Sequence, residues 1–552
     1  MSRFQQLLMV GILLPLFAFS SVFSRVYETP KLLCFGLVLS ACAFLLSRRK
    51  TITTFSKPIV SWGIFGFMCM FISLLFSAHL QLSAAVIVMY LSVFILALTI
   101  QTFYDKTSER IWLKGITFTA LVLSIIGIIQ FSFGVVMPLS TIGNADFLAT
   151  VFVCGLIALY YSRPATLTTY LLGSVLVWGL LLTQSKGSLL IMALFLIVQF
   201  IQAKRFWLAL LGMGVSVVAG LNWFSGMQWQ HSVYGRLHIW LASLLIFKDY
   251  IMGVGLAQFG FHYTQTLPVL FQNDGIKQLL GTYSGVVNDA HNLWLNTCVE
   301  LGILGGIWLF IGYGILAVYL KRLSSKSPYF WMLLLFVFKS LYTVTFPSVT
   351  TVLLFGIVLG LSGLKQPSKT VVISVFLSRA LIGISLIFLC FSLSNTLVDI
   401  ALTQTEKALF LQQPNKHDKW LSIAKHVYYK HPQTAQLEAL YEPTPQQLNY
   451  LWTHQRDLNT IKLVADLTLN AQNYTKAYDY YLFYHQAFPQ HLYPLYRLAL
   501  LSAQNKQFKQ AHNWANVLLS THPRHQHTSH PFLREQASFI LNNYDTKTNT
   551  IN

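Results

Sequence analysis

Long uninterrupted apolar runs dominate this chain, and their lengths determine its solvent. A helix crossing the hydrocarbon core of a bilayer needs about 20 residues. Thirteen runs approach that length: 5–23, 31–47, 59–77, 82–103, 112–134, 144–161, 166–182, 187–202, 206–222, 292–319, 330–346, 349–363 and 376–395. Within 166–202 two runs share a short turn, and Pro347 divides 330–346 from 349–363. Charged residues make up only 10% of the 552, against roughly 25% in soluble domains, so most of the surface must meet lipid. No small-x-small cleavage site follows Met1–Phe23, which is therefore read as the first span and not as a leader. The expected fold is all-α, a polytopic membrane protein with about 12–13 transmembrane helices.

The basic residues orient these spans. The net charge of +20 comes from 38 Lys and Arg against 18 Asp and Glu. Many of the cations fall in short loops: Arg48, Arg49, Lys50 and Lys57, then Lys106, Arg110 and Lys114, then Arg163, then Lys204 and Arg205, then Lys321, Arg322 and Lys326, then Lys365 and Lys369. Threaded alternately through thirteen spans, all these loops fall on one side. That side is cytoplasmic by the positive-inside rule, and the N-terminus lies there too. The distribution points to topology and anionic lipid headgroups as the cations' partners, not to nucleic acid. The six cysteines lie in or beside apolar runs without metal-type spacing, so they read as small packed residues.

An odd span count exports the chain after about residue 397. The expected division is a transmembrane domain over 1–396, with a long periplasmic loop at about 223–290, and a periplasmic helical domain over 397–552. Within the loop, the apolar stretch from Leu237 to Tyr250 suits an amphipathic position at the interface. The tail carries a repeat. Tyr474 and Phe508, Ala477 and Ala511, and Pro489 and Pro523 are each 34 residues apart. An aromatic, a small Ala for helix contact and a terminating Pro at that period suggest tetratricopeptide-like (TPR-like) helix pairs. Two pairs fall short of the usual three, so a degenerate third pair upstream or the outer ends of the spans must complete the stack.

Four polar segments gather on the exported side. The first runs from Asp289-Ala290-His291-Asn292 to Glu300-Leu301-Gly302, where the loop re-enters the membrane. A neutral imidazole such as that of His291 suits general-base work; the plainer reading is an interfacial His beside Asp289 that caps a helix. The second is Tyr234-Gly235-Arg236, followed by Gly253-Val254-Gly255. A guanidinium such as that of Arg236 grips phosphate oxygens bidentately, or simply anchors at headgroups. The third is Thr183-Gln184-Ser185-Lys186-Gly187, whose Lys stands on the side the positive-inside rule disfavours. An anionic ligand explains that placement, as does snorkelling to outer-leaflet phosphates. The fourth is Gly143-Asn144-Ala145-Asp146, where Asn144 or Asp146 suits a helix N-cap. Together they describe one aqueous mouth for a phosphate anchored in lipid. Ion transport would place its charges nearer the midplane of broken helices.

The order of these motifs resembles the O-antigen ligase and polymerase superfamily of bacterial inner-membrane glycosyltransferases. The resemblance covers roughly 140–310 and rests on Gly235-Arg236 with Gly253-Val254-Gly255, and on His291-Asn292-x-x-Leu295 with Glu300-Leu301-Gly302. It implies a multi-pass protein of the bacterial inner membrane whose donor is an undecaprenyl-pyrophosphate-linked glycan. It further implies that His291 is the base for an acceptor hydroxyl and that Arg236 holds the pyrophosphate. Lys186 stands where the family often carries Arg, keeping the charge but losing the fork. Asn144, Gln184, Tyr234, Asp289, Asn292 and Glu300 complete the candidate site. No cofactor or metal is expected, because cationic side chains would stabilise the departing pyrophosphate.

Within that superfamily the helical tail favours the protein O-oligosaccharyltransferases (PglL-like), because repeats present a concave surface to a protein. The expected activity is an inverting transfer of glycan to Ser or Thr of periplasmic proteins, pilin-like acceptors among them. The alternatives are ligation of O-antigen to lipid A-core and O-antigen polymerisation. Outside the superfamily, the alternative is a non-enzymatic transporter or scaffold for lipid-linked glycans.

Overall fold

In a computed structural model of the chain, the described residues are 3–23, 25–104, 109–162, 166–202, 229–344, 348–363, 369–428, 431–523 and 528–543, with the backbone alone described at 229–232 and 369. Seven helices among them are long and apolar enough to cross a membrane: Glu28–Ser47, Lys57–Phe76, Leu80–Phe103, Glu109–Ser132, Ala145–Ser162, Leu293–Arg322 and Val375–Phe410. Five shorter apolar helices join them: Arg3–Phe17, Leu167–Leu182, Lys186–Gln202, Pro328–Ser340 and Val349–Gly363. The chain is thus an all-α polytopic membrane protein. The expected run 206–222 lies outside the described residues.

Small residues let the spans approach closely, as packing in lipid requires. Glu28–Ser47 lies along Val375–Phe410, where any Cβ on Gly36 would collide with the Ser392 side chain. One turn further, Ser40 Oγ donates to Ser385 O at 2.9 Å and Ser385 Oγ returns a bond to Ser40 O at 2.7 Å.

The basic loops meet on one face. Thr51–Thr54 pairs antiparallel with Lys369–Val372, in register Thr51 to Val372, joining two loops more than 300 residues apart in sequence. Sequence patterning did not anticipate this two-stranded ribbon, whose β-branched Thr and Val suit an extended chain. Ser325 O accepts from Tyr161 OH at 3.1 Å and from Trp331 Nε1 at 2.8 Å, while Ser325 Oγ accepts from Gln202 Nε2 at 2.9 Å. Arg110 Nε donates to Ser162 O at 3.1 Å.

The opposite face carries an arm, 229–290, and the tail. Trp229–Asp249 is one helix that packs on Phe259–Leu270, burying Ile239, Ala242 and Ile246 among Val254, Phe259 and Tyr263. Leu237 to Tyr250 therefore lines a folded core with one side, and is not simply laid on a membrane surface. The span Val375–Phe410 continues unbroken for 36 residues, past 396–397, and buries Val398, Ala401 and Leu402 against the first tail helix, Pro414–Val427.

In the tail, the hairpin Leu458–Asn470 with Tyr474–Ala487 recurs as Leu492–Gln504 with Phe508–Ser520. Ala477 and Ala511 are fully buried where the paired helices meet. The arm completes the stack: Ile461, Tyr484 and Phe488 share one core with Phe259, Tyr263 and Leu267, and Gln490 Nε2 donates to Ser284 O at 2.7 Å. This docking puts tail and arm on the same face whatever the span count.

Candidate functional site

Local backbone rules build the mouth. Asn144 Oδ1 accepts from the amides of Asp146 (2.9 Å) and Phe147 (3.2 Å), capping the helix Ala145–Ser162 as its residue type favours. Across the mouth Thr183–Lys186 turns between two short spans, with Gln184 at φ +55°. Ser185 N donates to Thr183 Oγ1 at 3.3 Å, and Ser185 Oγ donates to the Asp146 carboxylate. Lys186 begins the next helix and is exposed. A cation at a helix N-terminus opposes the helix dipole, so an anion placed there would relieve both.

Lys339 secures this wall from beneath. It is fully buried, with Nζ 2.7 Å from Asp146 Oδ2 and donating to Asp146 O at 2.7 Å. Removing such a charge from water is costly unless it is paired and hydrogen-bonded, and the Asp146 carboxylate does both. Three residues on, Tyr342 joins Asn144, Asp146, Gln184, Lys186 and Arg236 in lining an open pocket.

Arg236 reaches the pocket from the arm helix Trp229–Asp249. One turn along that helix, Trp240 Nε1 donates to Ala290 O at 3.1 Å. Residues four apart share a helix face, so the bond to Ala290 sets the face that bears Arg236 toward the segment that leads into His291. Tyr234 lies against Tyr283, ring centroids 5.5 Å apart, and serves the arm's packing.

His291 occupies the left-handed region at φ +46°, uncommon for a residue with a side chain. Its side chain is 46% exposed, and its Nδ1 is 3.2 Å from Asp289 Oδ1, which also accepts from the His291 amide at 2.8 Å. A carboxylate on Nδ1 orients the ring and leaves Nε2 outward as the acceptor. Asn292 caps the following helix through Leu295 N (3.0 Å), and its Nδ2 donates to Leu341 O at 2.9 Å, beside Tyr342. Asn292 therefore ties His291 to the pocket wall without lining the pocket.

Glu300 is placed elsewhere. Its carboxylate is buried, within hydrogen-bonding reach of the Ala257 and Phe259 backbone and the Asn296 side chain. It braces the arm's root and does not line the mouth pocket. Sequence reasoning also missed Tyr342 and the role of Lys339. A lysine inside an apolar run was the available signal, since such a charge demands a partner.

Below the mouth an open aromatic-lined crevice lies between the spans, walled by Trp62, Tyr90, Phe94 and Trp308 and reaching Leu293 and Ser340. Those last two residues lie two positions from His291 and Tyr342 respectively. The crevice thus continues the mouth into the apolar layer.

Fold and mouth together define a multi-pass membrane protein with a pocket lined by Lys186, Arg236 and Asp146 above an apolar crevice. Residues 148–310, under a third of the chain, match the family model described as O-antigen ligase, which supports the O-antigen ligase and polymerase superfamily. The matched segment contains Lys186, Arg236, His291 and Glu300, but neither Lys339 nor the tail. No match was found among curated proteins. That match supports, in general terms, a role in transferring a lipid-linked glycan.

Proposed function

We propose that this protein is an inner-membrane O-oligosaccharyltransferase, with the mouth and a TPR-like tail domain in the periplasm. The donor is an undecaprenyl-pyrophosphate-linked glycan. Its polyprenyl chain enters the crevice under His291, and its pyrophosphate meets Arg236 and Lys186 in the mouth pocket. A Ser or Thr hydroxyl of a periplasmic protein, of pilin type among others, attacks the anomeric carbon. Nε2 of His291 takes the hydroxyl proton while Asp289 holds Nδ1. The bond from the anomeric carbon to the pyrophosphate oxygen breaks, its electron pair leaves with the pyrophosphate, and the two cations offset the charge that develops. Attack opposite the leaving group inverts the anomeric centre.

The observation that carries this reading is the docking of the tail on the arm. Tyr484 and Phe488 pack with Phe259 and Tyr263, so a surface able to hold a protein stands beside the helix that delivers Arg236. The description of the matched family favours a second reading, in which the acceptor is lipid A-core.

The test expresses the chain, His291→Ala and Arg236→Ala in cells that make a lipid-linked glycan. Mass spectrometry of periplasmic proteins should find glycopeptides with the wild type and neither variant. Glycopeptides from both variants would defeat the assignment. An altered lipopolysaccharide ladder with unmodified proteins would favour the second reading.

A further inference from the structure

The helix Leu293–Arg322 is broken at Gly302, with φ +67° and ψ −159°. A break inside a span frees backbone groups that lipid cannot satisfy. Here the arm satisfies them. Val254 N donates to Val299 O at 2.9 Å, Gly255 N to Glu300 O at 3.0 Å, and Ile303 N to Ile251 O at 3.0 Å. The contact is backbone on backbone: a Cβ on Gly302 would lie 2.3 Å from the Met252 carbonyl carbon, and one on Gly253 would lie 2.5 Å from Gly302 N.

Neighbouring contacts give the depth of this joint. Trp62 and Trp308 exchange indole-to-carbonyl bonds of 2.8 and 3.1 Å, and Cys69 Sγ lies 3.9 Å from Leu304 O. These register the broken helix against the antiparallel span Lys57–Phe76. From Cys69 to the end of that span at Phe76 is seven residues, or about 10 Å at 1.5 Å per residue. The arm's turn at 250–252 therefore lies below the end of the neighbouring span. Ile251 and Met252 are 55% and 48% exposed there, with Tyr250 beside them. They continue the outward apolar stripe of Ile303, Ile307 and Phe310 on the broken helix.

We propose that Tyr250, Ile251 and Met252 form a re-entrant tip that sits among the acyl chains of the leaflet facing the tail. Lys248 and Asp249, exposed just before the tip, limit its depth by staying at headgroup level. The tip anchors the arm in lipid, so the helix bearing Arg236 keeps its height relative to the membrane. Lipid is the occupant because the tip is continuous with a lipid-facing stripe, and Tyr250 N, Tyr250 O and Ile251 O are already paired within the protein.

The test uses the full chain in phosphatidylcholine vesicles, with Cys34→Ser and Cys390→Ser removing the two cysteines that are not buried. A nitroxide at Met252→Cys is compared with one at Phe310→Cys on the span and one at Phe532→Cys on the tail. Collision with oxygen should exceed collision with a water-soluble nickel chelate several-fold at 252, as at 310, and the order should reverse at 532. A label at 252 that behaves like the one at 532, or that is shielded from both reagents, overturns the proposal. If Met252→Cys does not assemble, Ile251→Cys is read by the same criterion.

Discussion

Two motif-dense regions of this molecule read alike in sequence and are built in opposite ways. The mouth presents side chains. Lys186 and Arg236 line an open pocket, and His291 stands exposed in a left-handed backbone conformation. The joint between Gly253-Val254-Gly255 and Glu300-Leu301-Gly302 presents almost none, because its substance is three backbone hydrogen bonds and glycines in van der Waals contact. The segment matching the O-antigen ligase family model thus holds two things at once, the proposed chemical centre and the joint that sets an arm against a span. Substitution should separate them: changes at the joint cost folding, and changes in the mouth cost chemistry.

The sharpest separation comes from Gly302→Val. Its Cβ would meet the Met252 carbonyl carbon at 2.3 Å, at a φ that β-branched residues avoid. Detergent-extracted protein should lose its monodisperse peak in fluorescence-detected size exclusion. His291→Ala should give a normal peak and lower glycan transfer by about 10²–10⁴-fold, the usual worth of a general base. Monodisperse Gly302→Val, or aggregated His291→Ala, would erase the distinction between the two regions.

Lys339→Met probes the mouth's foundation. It strips the Asp146 carboxylate of its buried cation and loosens the turn that holds Gln184 and Lys186. Breaking a buried pair from one side costs roughly 3 kcal/mol or more, which should appear as a clear drop in melting temperature. The double variant Asp146→Asn with Lys339→Met should recover part of that loss, because no charge is then left uncompensated. Additive losses would show that the pair does not act as a unit.

These cases also show what was legible beforehand. The spans were, because lipid demands long apolar runs and little else produces them. The shared side of Asn144, Lys186, Arg236 and His291 was, because alternate threading of loops is a parity argument. The tail hairpins were, because helix crossings that bury Ala477 and Ala511 recur at a fixed period. The Lys339–Asp146 pair was not, since partners 193 residues apart leave no local trace. Nor was Glu300's removal from the mouth, because a motif names residues and not which of their groups matter. The break at Gly302 was hidden for a related reason: within an apolar run, a glycine reads the same whether the helix is straight or broken.

The gentlest test concerns the tail, which is held by packing as the joint is. Burial, with Arg25 and His79 nearby, pushes His431 down to about 3. Burial, with Lys277 on the arm, pushes His485 down to about 4, and burial near His530 pushes His491 down to about 4. An unfolded His titrates at about 6.5. Between about pH 6.5 and about pH 4 the unfolded chain therefore takes up protons that the folded tail refuses. Stability is fully present above that window and falls as pH drops through it, by up to ~1.4 kcal/mol per pH unit for each histidine. Melting of the purified chain should thus shift down between about pH 7 and about pH 5, and His485→Gln with His491→Gln should flatten the slope. A melting temperature that holds or rises on acidification would mean that these rings accept protons in place. The tail would then be a hydrated surface and not a second packed joint.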